Sequence, residues 1–400
     1  MPAALLKDAF SVRRNLVALW RAGDAYPALD GIRALAVLWV LVFHCVSIPV
    51  IAPSTGPTLA RYVRHPIFTT IFAGSLAVDV FLVLAGFLMA HLLLGEHART
   101  GGLRVGRFFA RRWMRMVPLY AAAVALYMAI DPVQRATCAR WGWANLLFLN
   151  NFFGPQLRPE SCLGHGWSMA VEFQLYLVSP LVVVWMLASR RAAAVPWLLV
   201  AAGLVATSAI VLLQHSPSAE WYGTALYDKP YGRSAPYFAG MAAAYAVRRA
   251  AVAAPRPVER LLVALAGGVV LAIVLVPPDL LDRRPLLRQA LLLGGRQLFG
   301  AALAYLVYAM LTGRARLLER ALAARAWLPI ARLSYAAYLV QFVCIVPLCA
   351  RFAPRVIRAA SLGEVLVALG AQTAAALALT FALALVGFLF VEKPFMNLRR

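Results

Sequence analysis

Apolar blocks of about 20 residues recur along all 400 residues of the chain, separated by short breaks rich in turn residues and charge. A block of that length crosses roughly 30 Å of hydrocarbon as an α-helix, the one open structure that satisfies its own backbone in lipid. The repetition excludes a single anchored soluble domain, and the lack of period-2 alternation excludes a membrane β-barrel. Composition agrees: 63% of residues are hydrophobic and 14% charged, against about 45 to 50% and about 25% in soluble domains. The expected fold is all-α, a polytopic transmembrane helix bundle. Spans are predicted at 28–51, 69–93, 113–130, 165–188, 195–214, 234–247, 261–277, 290–312, 327–350 and 365–391, about ten in all. The sixth is short and flanked by Pro236 and Arg248, which leaves nine as the alternative. The segment WGWANLLFLNNFF at 141–153 is too short to span and is expected in the interface or folded back into the bundle.

The net charge of +23 would point to nucleic acid in a soluble protein. Here it reads as topology, and no nucleic-acid partner is expected. Of the 39 Lys and Arg residues, 23 fall in the N-terminal tail, the C-terminal tail and the breaks near 95–116, 190–191, 248–260 and 314–325. The five remaining breaks hold 13. Positive segments stay inside, so both termini are expected in the cytoplasm. Lys7, Arg13, Arg14 and Arg21 interrupt the first 25 residues, so no signal peptide is expected. Leu5, Leu6, Ala9, Phe10, Leu16, Val17 and Trp20 repeat at helical spacing, which predicts an amphipathic helix over 3–20 on the inner lipid surface. The expected organisation is a cytoplasmic segment 1–27, a membrane domain 28–392 and a tail 393–400. Cys45, Cys344 and Cys349 read as packing residues. Cys138 and Cys162 share one outward loop, where an oxidising space permits a disulfide that the sequence leaves open.

Ionisable groups at membrane depth are costly and mark function by default, the alternatives being a packing ion pair or a snorkelling head group. Arg33, His44, Asp79 and Glu172 are such positions. Eleven residues separate Arg33 from His44, which places them on one face of the first span, about 16 Å apart. Arg33 then sits at the cytoplasmic mouth and His44 in the outer half. Counting inward from the outer ends of their spans places Asp79 and Glu172 about 10 to 15 Å deep, level with His44. A histidine with two carboxylates at one depth is a candidate acid–base centre. On the inner side, Arg112 and Arg115 lie three apart within reach of Arg33, and Arg332 at the inner end of the ninth span can join them. Guanidinium forks suit phosphate oxygens. Arg296, about eight residues into the eighth span, is expected to pair with Asp79 or Glu172, the alternative being an excursion to lipid head groups.

A basic pocket inside, a track of about 16 Å and a histidine near the outer face match coenzyme A, with phosphates at the arginines and a thin pantetheine arm reaching toward His44. The motifs themselves resemble a known family. LDGIRALAVLWVLVFH is similar to the opening element of the acyltransferase-3 family of integral-membrane O-acyltransferases and carries Arg33 and His44. GSLAVDVFLVLAGFLMA resembles its second-span element, with Asp79, Phe81 and Gly86, and RRWMRMVPLY its paired arginines, Arg112 and Arg115. HGWSMAVEFQLYLVSP resembles its Trp-Ser-x-x-x-Glu block and supplies His165, Trp167, Ser168, Glu172 and Tyr176. LSYAAYLVQ and FVEKPF resemble the closing elements. Gln341 stands where many members carry histidine.

The resemblance implies transfer of an acyl group, usually acetyl, from cytoplasmic acyl-CoA to a hydroxyl of a cell-envelope glycan such as lipopolysaccharide O-antigen or an exopolysaccharide. Its matched positions place His165, Trp167, Ser168, Tyr176 and Gln341 toward the acceptor; the buried charges make His44 the expected base, held by Asp79 or Glu172, and give Arg296, which the family motifs do not cover, acceptor contact as an alternative to pairing. Acetyl-CoA is the expected co-substrate, no metal is expected, and the expected partners are a glycan or lipid-linked glycan and membrane lipids. The expected location is the bacterial inner membrane. Longer relatives append an esterase-like domain, and the membrane domain is expected to stand without one here. The alternatives are a small-molecule acceptor such as a macrolide, or a transporter or flippase of envelope precursors, for which the sequence offers neither inverted repeats nor broken spans.

Overall fold

The computed structural model describes residues 8–21, 26–154, 161–213, 223–250, 252 and 255–398. Among them are ten long helices: α1 (Pro27–Ile51), α2 (Ala77–Thr100), α3 (Val105–Ile130), α4 (Trp167–Ala188), α5 (Ala194–Leu213), α6 (Pro230–Arg249), α7 (Pro257–Leu275), α8 (Pro285–Leu311), α9 (Trp327–Arg358) and α10 (Leu362–Gly387). Local chemistry sets their ends. Proline occupies the first turn of α1, α6, α7 and α8, where its missing N–H costs nothing. The α2 helix stops at Gly101 with φ of 71°, the left-handed cap that glycine adopts without strain. Nine of the ten belong to segments long and apolar enough to cross a membrane, so the chain is a multi-pass membrane protein. The exception is α6, and the expectation of ten apolar spans is corrected to nine. Its 20 residues would span about 30 Å, but lipid does not face most of them: Arg233 through Ala244 are buried.

The α6 helix owes that burial to close backbone contact. A Cβ on Gly240 would stand 2.1 Å from the Val83 carbonyl oxygen, and one on Gly86 1.9 Å from that of Tyr237. Small residues thus bring α2 and α6 together, with α5 and α8 packed on α6 as well. Two boundaries move. The second span was expected from residue 69, but Pro66–Phe72 is a separate short helix and a 3-10 turn, Ala73–Leu76, precedes α2. The third was expected from 113, whereas α3 begins at Val105 and carries its arginines within the helix.

Residues 3–7 of the expected N-terminal helix, with Leu5 and Leu6, lie outside the described residues. The remainder contains a short helix, Val12–Val17, whose buried Asn15 donates to the Leu389 carbonyl at 3.1 Å. It docks on the C-terminal end of the bundle while Leu16, Val17 and Trp20 stay exposed. The 141–153 segment folds back. After the helix Pro132–Leu146, Phe148 inserts between Tyr120 and Phe173, with ring centroids 5.3 and 4.2 Å away.

Cys138 and Cys162 form a disulfide, while Cys45, Cys344 and Cys349 are free thiols. A hydrophilic maleimide should therefore modify Cys138 and Cys162 only after reduction. Labelling of either in the untreated protein, read by mass spectrometry, would overturn the pairing.

Candidate active site

The first cluster forms where α1, α2, α3, α4 and α9 meet. Arg33, Arg112, Arg115, Glu172, Tyr176 and Ser168 line one cavity of about 100 Å³. Arg112 and Arg115 point the same way because three residues make nearly one helical turn. Arg33 is held by Asp30 one turn earlier, Nη1 to Oδ1 at 2.7 Å. Glu172 accepts a hydrogen bond from the Tyr176 hydroxyl, and the Arg112 guanidinium stands 5.8 Å from the Tyr176 ring centroid. The lining thus carries three guanidinium groups and one carboxylate, a balance that favours an anionic ligand. Arg332 is not in the lining; its Nη2 donates to the Arg21 carbonyl at 3.0 Å. The α9 helix contributes Ser334, Tyr335 and Tyr338 instead.

His44 is organised differently from the expectation. Its Nδ1 lies 2.7 Å from Gln341 Oε1, and Gln341 Nε2 donates to the Tyr338 carbonyl at 2.9 Å. The second bond commits the amide: the nitrogen faces the carbonyl, so the oxygen faces the imidazole and accepts from Nδ1–H. The neutral ring then carries its lone pair on Nε2. Phe43 and Phe342 flank the ring, with centroids 5.0 and 4.9 Å away. Phe342 also touches His165, whose Nε2 donates to the Leu339 carbonyl at 3.1 Å. The partner of His44 is therefore Gln341, and the expectation that Asp79 or Glu172 orients it is corrected. A run of contacts links the arginine cavity to His44: Tyr338 lines the cavity, its carbonyl fixes Gln341, and Gln341 fixes the imidazole. The Ser168 and Tyr338 hydroxyls, 2.8 Å apart, close the cavity wall, and Tyr338 donates to the His165 carbonyl.

Asp79 belongs to a third group. Its carboxylate receives Arg233 Nη1 at 2.9 and 3.0 Å and Arg296 Nη1 at 2.5 Å. The expected pairing of Arg296 with a buried acid is thus observed, with Asp79 as the partner. Arg233 did not figure among the sequence candidates. It is 1% exposed, donates through Nε to the Tyr227 carbonyl at 2.6 Å and lies 4.9 Å from the Trp167 ring centroid. Trp167 therefore packs on an Asp–Arg pair that ties α2, α6 and α8. Among the described residues, no three His, Cys, Asp or Glu side chains gather as metal ligands.

A profile of the acyltransferase domain matches residues 26–391 and so takes in all three groups. The chain belongs to the acyltransferase-3 family. This acyltransferase-3 protein is 30% identical over 171 residues to "Regulator of hypoxia-inducible factor 1" of Caenorhabditis elegans, 38% of the present chain and 33% of that protein. It is 28% identical over 173 residues to the O-acetyltransferase OatA of Staphylococcus aureus, covering 40% and 25%. It is 24% identical over 262 residues to "Nose resistant to fluoxetine protein 6" of C. elegans, covering 54% and 31%. The matched stretches span a third or less of these relatives. No solved structure matches.

Proposed function

We propose that this protein is an O-acyltransferase of the bacterial inner membrane that moves an acetyl group from acetyl-CoA to a hydroxyl of a cell-envelope glycan. The observation that carries this reading is the His44–Gln341–Tyr338 chain, which leaves a base nitrogen one contact path away from an arginine-lined cavity. The name O-acetyltransferase borne by OatA supports acetyl as the group transferred. Arg33, Arg112 and Arg115 would hold the phosphates of the donor, and the cavity beside them would take the slender arm. The acceptor O–H gives its proton to His44 Nε2 as its oxygen bonds to the thioester carbonyl carbon. The C–S bond then breaks, the proton passes to the leaving thiolate, and an ester and free coenzyme A result. The topology that serves this chemistry has both termini in the cytoplasm, with residues 28–392 as the membrane domain, 1–27 as a cytoplasmic segment and 393–400 as a tail.

Incubating the purified protein with radiolabelled acetyl-CoA and envelope glycan fractions tests the reading directly. Label on a glycan is the expected result; label found only on a small-molecule acceptor, or nowhere, overturns it. Charge-assisted contacts are worth about 1.5 to 3 kcal/mol each, so Arg33→Ala and Arg112→Ala should each weaken acetyl-CoA binding at least about tenfold. Unchanged affinity by calorimetry would reduce these arginines to topology signals.

A further inference from the structure

A second, smaller cavity is built from different chemistry. Trp141, Phe153 and Trp167 supply aromatic surface, and Asn145, Asn150 and Asp228 supply polar groups. Its volume of about 10 Å³ suits one hydroxyl-sized group. Two of its lining residues keep a buried oxygen that no donor among the described residues reaches, Asn150 Oδ1 and Asp228 Oδ2. Asp228 is 0% exposed, and its other oxygen takes Lys229 Nζ at 2.8 Å. Asn145 is already committed, since it donates to the Cys162 carbonyl at 3.0 Å and accepts from the Tyr120 hydroxyl at 2.9 Å. The cavity therefore offers two acceptors in search of O–H donors.

The segments around those oxygens are tied to their neighbours by other bonds. Asn151 Nδ2 donates to the Asp228 carbonyl at 3.1 Å, which ties the Asp228 segment to the 148–151 turn, and Gln174 Nε2 donates to the Phe148 carbonyl at 2.7 Å, which ties that turn to α4. The Cys138–Cys162 bond fixes a third side. Gly154, at φ of 85°, lies against the Trp141 ring so closely that a Cβ would come within 3.0 Å. Unmet acceptors positioned by such ties are a recognition device, because a ligand lacking the matching hydroxyl leaves them unpaired.

The location joins this cavity to the chemistry. Trp167 lines it and the next residue, Ser168, lines the arginine cavity. Gly164 also lines it, and neighbouring His165 touches Phe342, which touches His44. The turn from Gly164 to Ser168 is thus a partition with one cavity on each side.

We infer that the second cavity is the acceptor subsite: it seats one hydroxyl of a sugar, whose O–H donates to Asn150 Oδ1 while the ring lies on Trp141. The inference rests on the acyl-transfer reading for its purpose and on this geometry for its place. The competing occupant is a structural water, which would satisfy the same oxygen. Saturation-transfer NMR on the detergent-solubilised full-length protein, with no acetyl-CoA present, separates the two, using methyl glycosides of glucose, galactose, mannose and rhamnose as probes. At least one glycoside should bind. Asn150→Leu and Trp141→Ala should each weaken that binding about tenfold, the loss of roughly one hydrogen bond or stacking contact, while Asn150→Asp, which keeps an acceptor, retains it. Acetyl-CoA affinity, read by calorimetry on the same samples, should stay within about twofold of the parent, which also certifies folding. No glycoside signal from the parent protein overturns the subsite, and so does a signal that survives both substitutions, the outcome for a structural water alone. Glycoside binding that shows the expected losses while no label passes from acetyl-CoA to glycan fractions would sink the acyl-transfer reading and leave the subsite standing.

Discussion

His44→Ala should lower acetyl transfer by about two to four orders of magnitude, the usual contribution of a positioned general base, while acetyl-CoA affinity holds. The two readouts separate because His44 is not in the lining of the arginine cavity. Gln341→Leu should cost less than His44→Ala, since the imidazole survives but loses the acceptor that commits Nδ1–H. Its signature is a fall in turnover with little change in the donor concentration at half-maximal rate. Near-normal turnover of the His44 variant in a radiolabel assay would remove the base from the mechanism.

Asp79→Ala should be the most destabilising change in the bundle, by about 3 to 5 kcal/mol, the range for stranding a buried charge. The structure orders three variants. Without Asp79, two guanidinium groups lose their counter-ion, and Arg233 is 1% exposed. Without Arg233, Asp79 keeps Arg296 at 2.5 Å. Arg296→Met is the mildest, because Arg233 Nη1 still reaches both Asp79 oxygens. The melting temperature in detergent should fall in that order, and Asp79→Leu combined with Arg233→Met should recover part of the loss. An Arg296→Met protein less stable than Asp79→Ala would contradict this account.

Much of the helix pattern is legible from hydropathy alone, because runs of Leu, Ala and Val such as 362–387 have no other stable state in lipid. Arg33, Arg112 and Arg115 of the arginine cavity are also legible, as their motifs fall on helix faces. Depth was less accessible. Counting from residue 165 as a surface position puts Glu172 level with His44. Instead Ser161, Cys162, Leu163, His165 and Trp167 are all buried, so the span starts well inside the protein. Glu172 joins the arginines as a result.

Pairing was less accessible still. Arg233 reads as a loop charge because Pro230, Gly232 and Pro236 surround it, and only the α2–α6 glycine crossing reveals that its segment is interior. Gln341 reads as a departure from its family. Its role follows from one backbone carbonyl, that of Tyr338, which no spacing rule predicts.

The α6 helix carries a consequence for biogenesis. The α6 segment is not apolar enough to count among the spans and carries Arg233 one turn inside its start, so it partitions poorly from the translocon into lipid by itself. Two of the helices that bury it, α2 and α5, emerge from the ribosome before it, and Asp79 on α2 brings the counter-charge for Arg233. Insertion of α6 is then a docking event that waits for its neighbours. A variant that loosens the α2 crossing would first show itself as a helix stranded on the wrong side of the membrane.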